Sequence, residues 1–63
     1  MNKKLAGFLL SWKWYFKKAN YKKAKIRSSI ASKFRDTKEY KDGTWTTELF
    51  NSTYHELELL GML

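Results

Sequence analysis

The chain has 63 residues, with 13 lysines and arginines against 6 acidic side chains, no cysteine, no proline and one histidine. A chain this short makes one small domain, residues 1–63, and buries only about 60% of the surface its unfolded form exposes. Without cysteine it has neither disulfides nor thiolate metal ligands, and the lone His55 leaves no ligand set for structural zinc, so oligomerisation is the remaining staple for so small a core.

The first residues, MNKKLAGFLLSWKWYF, have the outline of a signal peptide. The apolar run from Leu5 to Trp12 is interrupted by Gly7 and Ser11, and Lys13 follows with no small-residue cleavage pattern. It is also far short of the ~20 residues that span a bilayer. A soluble, cytoplasmic protein is the expectation.

From Lys4 to Asp36 only Gly7 interrupts a helical pattern. At about 100° per residue, Leu5, Phe8, Leu9, Trp12, Tyr15, Phe16, Ala19, Ile26, Ile30 and Phe34 share one arc, the stripe of a core-facing helix. The phase persists across KANYKK, which favours one long basic helix over about 4–35. The stripe thins there, and Asn20 is a weak helix former, so a kink or break near 19–23 is the alternative.

The segment DTKEYKDGTW reads as a loop of about ten residues, with Asp42-Gly43 the strongest turn signal. A two-residue hairpin pairing Tyr40 with Trp45 is the minor alternative over 40–45. A short acidic helix over about 46–60 follows, with Leu49, Phe50, Thr53, Tyr54, Leu57 and Leu60 on one face and Gly61 where a left-handed stop belongs. The fold class is all-α, a helical hairpin of unequal arms. The short arm shields only part of the long arm's stripe, so a homodimer is expected to cover the rest.

Charge divides the same way. Residues 1–35 hold 11 bases and no acid, whereas residues 36–63 hold all 6 acids and only Lys38 and Lys41. Within SWKWYFKK, Trp12, Tyr15 and Phe16 fall in the stripe, and Trp14 points to the opposite side beside Leu10 and Tyr21. These three form a second apolar strip that would meet a second copy or another molecule. Lysines at its rim complete a protein-binding surface.

No constellation of residues points to catalysis. His55 with Glu56 and Glu58 is the one acid–base cluster, and it lies on a solvated helix face. There is no glycine-rich phosphate loop, nucleophile motif or spaced ligand pair, so neither enzyme nor cofactor is expected. The basic helix supports two further readings. Lys13, Lys17, Lys18, Lys22, Lys25 and Arg27, with Lys33 and Arg35, offer phosphate contacts, and Trp14 and Tyr21 offer stacking, as in a non-specific nucleic-acid binder. A lysine-rich amphipathic helix with tryptophan also suits a membrane surface, although the second amphipathic helix competes for the same stripe. The protein-partner reading is favoured over both, because the acidic helix can neutralise the basic face and arginine-based base readout is missing.

Over its whole length, MNKKLAGFLLSWKWYFKK … YHELELLGML resembles the short early accessory proteins of lambdoid phages, encoded between the exonuclease and excisionase genes. The likeness is one of size, lysine-rich helical composition and run of residues, without a shared motif that assigns a role to any position. It implies a small non-enzymatic protein of the bacterial host cytoplasm that modulates the choice between lysis and lysogeny through a host or phage protein.

Overall fold

The computed structural model describes residues 2–63 and is all-helical, with no strand among them. Four helices follow in order: α1 Lys3–Lys18, α2 Lys23–Arg35, α3 Lys38–Lys41 and α4 Thr47–Leu59. The expected single helix over 4–35 is therefore two helices. A straight helix of that length would run about 48 Å, whereas the longest dimension of the molecule is 32 Å.

The break is built by the chain itself. Asn20 takes a left-handed φ of 59°, a conformation that asparagine tolerates better than other side chains with a Cβ. The amides of Asn20 and Tyr21 turn back onto the carbonyls of Lys17 and Phe16, at 3.0 and 3.4 Å. This is the Schellman arrangement, and its customary apolar contact is present, with the Tyr21 ring edge-on to Phe16 at 5.3 Å.

The same device ends two more helices. Gly43, at φ 80°, stops α3 with bonds from Gly43 and Thr44 to the carbonyls of Tyr40 and Glu39. Asp42-Gly43 is thus a helix stop rather than a hairpin turn, and the expected loop contains a helical turn. Gly61, at φ 72°, stops α4 as expected, with Gly61 and Met62 bonding back to Glu58 and Leu57.

The starts of α1, α3 and α4 are capped by side chains, whereas α2 begins at Lys22 without one. Asn2, Thr37 and Thr46 accept hydrogen bonds from the amides of Leu5, Tyr40 and Leu49. Thr37 also donates its hydroxyl to the carbonyl of Phe34 at 2.6 Å, so one residue closes α2 and opens α3.

With the chain folded back, Leu5, Leu9 and Phe16 of α1 and Ile30 and Phe34 of α2 enter one core with Trp45, Phe50, Tyr54 and Leu57. Phe34, 2% exposed, is its hub. It stacks on Trp45 at 5.6 Å and 5°, lies 4.9 Å from Phe50 and 5.3 Å from Tyr40, and faces Phe8 across α1 at 6.3 Å. Both halves of the stripe contribute to this core.

Two stripe positions end up outside the core. Tyr15 is exposed, and Ala19 is the exposed C-cap of α1. Tyr15 lies about 100° round the helix from the mean direction of Leu5, Leu9 and Phe16. It stands at the edge of the arc, about 20° beyond Phe8, which is half-buried against the core.

Candidate binding face

Trp14 occupies the side of α1 opposite the core, about 160° round from Leu5, Leu9 and Phe16, and is 61% exposed. Tyr15 beside it is 64% exposed. The two rings border an open cleft of about 500 Å3 with Ser11 and Lys18, residues brought to one side of the helix by three- and four-residue spacing.

Lysines flank the Trp14 ring beside this cleft. The Lys13 and Lys17 ammonium groups lie 4.6 and 5.1 Å from the Trp14 ring centroid. Such contacts are worth about 0.5–1 kcal/mol at exposed sites and hold the indole among the lysine stems. Tyr15 is fixed differently, edge-on to Phe16 at 5.2 Å and to Trp12 at 5.4 Å. Its ring is anchored to core residues while its outer face stays in solvent.

The remaining candidate positions disperse. Leu10 and Tyr21 are partly buried and pack against the core cluster, so the second apolar strip of Leu10, Trp14 and Tyr21 is not assembled on the surface. Lys25 lies 5.1 Å from the Tyr21 ring, and Lys22 is the exposed N-cap of α2. Arg27 has a structural task. It bonds Asn51 of α4 at 3.2 Å and lies 4.7 Å from the Tyr54 ring, so it belongs to the α2–α4 seam. Lys33 sits over Trp12 at 5.5 Å. Arg35 and Lys41 border a separate open cleft beside Tyr40 and Trp45.

The acidic half does not neutralise the basic face. The described residues contain two ion pairs, Lys4–Glu39 at 2.9 Å and Lys23–Glu58 at 3.4 Å. Both are exposed enough to contribute little. Neither involves Lys13, Lys17 or Lys18. His55 and Glu56 are exposed, and no group of three or more metal-ligating side chains converges among the described residues.

Tyr15 is the member of this face that whole-stripe periodicity misassigned. The signal that finds it is its edge position, farther from the mean direction of Leu5, Leu9 and Phe16 than any other member of the stripe. Among the described residues, no helix is long and apolar enough to cross a membrane. No protein-family model, curated protein or solved structure matches this chain.

Proposed function

We propose that this protein is a small non-enzymatic binding module that holds an anionic macromolecule on the outer face of α1. The observation that carries this reading is the exposed pair Trp14 and Tyr15, set on a capped helix and bordered by Lys13, Lys17 and Lys18, which have no acidic partner. Exposed aromatic side chains held in place by a fold are the usual energetic centre of a recognition surface. The other exposed apolar side chains, Leu59, Leu60 and Met62, lie at the end of α4 and carry no comparable ring of lysines.

A regulatory role of the kind implied by the likeness to lambdoid phage early proteins fits a module of this size. The protein then acts by occupying a macromolecule of the host or the phage. Retention experiments test this with the immobilised whole chain, its Trp14→Ala variant and a Leu59→Ala control, scoring protein and nucleic acid captured from bacterial lysate. Loss of the retained macromolecule in Trp14→Ala alone is expected. Equal retention by all three would place the binding surface elsewhere.

A further inference from the structure

We infer that the macromolecule taken by this face is a single-stranded nucleic acid, held with little regard to sequence. The inference rests on the assignment of the α1 face as the binding surface and names its occupant.

Three features select that class. The first is flat apolar area in water on rigid supports. Trp14 stands among lysine stems, and Tyr15 is pinned edge-on by Trp12 and Phe16. An acidic peptide offers carboxylates to the lysines but no planar surface to the rings. A nucleic-acid duplex offers phosphates and keeps its base faces inside the stack. An unpaired strand supplies both, with charge along its backbone and an accessible face on every base.

The second feature is the placement of the cations. Lys13 and Lys17 already sit about the indole, and Lys18 lies beside it across the cleft. A base seated on Trp14 would displace an ammonium group from the ring toward the phosphate of the same or the next nucleotide. The lysine then exchanges a cation–π contact for a phosphate contact, with no change in the helix.

The third feature is the residue type. The cations here are all lysines, which act as point charges, whereas reading base edges mostly falls to the forked guanidinium of arginine. Arg27, the nearest arginine in sequence, is occupied by Asn51 and Tyr54. The face can hold a strand and cannot read it.

The test uses the intact protein with five probes: a mixed-sequence single-stranded oligonucleotide as DNA and as RNA, the same DNA annealed to its complement, inorganic polyphosphate, and polyglutamate. Tryptophan emission and anisotropy are followed at two salt concentrations. The single strands should bind more tightly than the duplex and both simple polyanions, with quenching that disappears in Trp14→Ala. Loss of one stacked base should weaken binding roughly 5- to 150-fold, and Trp14→Phe should restore most of it. Three phosphate contacts give a slope of log K against log salt of about −2, and Lys17→Gln should flatten it by about 0.7. Circular dichroism checks that each variant keeps its helices.

Binding of polyphosphate or polyglutamate as tight as that of the single strands, or absence of binding to the strands, would overturn the nucleic-acid assignment. In either case, Trp14-dependent capture of polyglutamate would leave the α1 face standing as a binding surface. Strand binding undiminished by both Trp14→Ala and Tyr15→Ala would instead remove the face itself.

Discussion

The Tyr21 ring meets Phe16 edge-on at 5.3 Å, across a helix stop in which the Tyr21 amide reaches back to the Phe16 carbonyl. This contact turns a continuous hydrophobic phase into two helices. It ties a backbone device to a side-chain contact, so the direction change and the start of the core are one event. Trp14 and Tyr15 lie on the part of α1 that this core leaves outside.

Asn20 should therefore be sensitive to backbone preference and indifferent to side-chain contacts. Asn20→Ala forces a Cβ residue without asparagine's local polar compensation into the left-handed region, at a cost of about 1 kcal/mol. Asn20→Gly should match or exceed the parent. For a domain of this size about 1 kcal/mol moves the melting temperature by roughly 4–8 °C, well within the reach of thermal circular dichroism. Equal melting of the alanine variant and the parent would mean that the stop is not under this control.

Gly7 offers the opposite case. It lies inside α1 without a positive φ, and a Cβ added there meets nothing within 4 Å. Gly7→Ala should stabilise the protein by about 0.5–1 kcal/mol, since glycine in a helix interior costs that much in backbone entropy. A melting temperature that fails to rise would point to a neighbour on this surface.

Phe34 should be the least tolerant position. Its four aromatic neighbours come from α1, α3, α4 and the segment before α4, so truncation opens a cavity that no single helix can fill by shifting. Phe34→Ala is expected to cost about 3–5 kcal/mol, comparable with all that a core of this size supplies. Collapse of amide chemical-shift dispersion should follow, with Phe34→Leu keeping the fold. A well-dispersed alanine spectrum would contradict the hub assignment.

Two groups shape the pH profile. The Lys4 side chain bonds Glu39 and holds its carboxyl below the usual range, aided by a backbone hydrogen bond. A depressed carboxylate stabilises the fold above its unfolded pKa of about 4.3, and the effect is lost as pH falls through the lower folded value. Lys4→Gln should shrink that acid-side loss. Burial raises the Tyr54 hydroxyl above its ordinary value, and the Glu58 charge adds to it, against Arg27 and Lys23. That contribution is complete below a pH of about 10 and is lost as pH rises through the raised value. Tyr54→Phe should flatten the alkaline limb of a stability–pH curve, and an unchanged limb would contradict the assignment.

Much of this architecture is legible in the residues. The α4 stripe from Leu49 to Leu57, its Thr46 start and its Gly61 stop follow from spacing and cap chemistry, whereas Leu60, expected on the same face, is the exposed C-cap. The break at Asn20 is harder, because the phase runs through it and asparagine stops helices less often than glycine. What distinguishes the site is the aromatic pair Phe16 and Tyr21 at the two positions that a Schellman stop brings together. Asp42-Gly43 has the opposite problem, since one dipeptide serves hairpins and helix stops alike, and the Thr37 cap four residues before Lys41 decides between them. Exposure of Trp14 is legible from its angle on α1, and that of Tyr15 from its place at the edge of the arc. The lack of acidic partners for Lys13, Lys17 and Lys18 is a property of three-dimensional placement that composition does not contain.

The central claim is that the exposed aromatic pair of α1, with its lysines, is where this protein meets its partner. Nuclear magnetic resonance mapping tests it most directly, following the three indole N–H signals and the backbone amides as a single-stranded oligonucleotide is added. The Trp14 indole and the amides of residues 11–18 should shift together, while the buried Trp45 indole and the α4 amides hold still. Shifts centred on Leu59, Leu60 and Met62, or on the Arg35–Lys41 cleft, with Trp14 unmoved, would contradict the account.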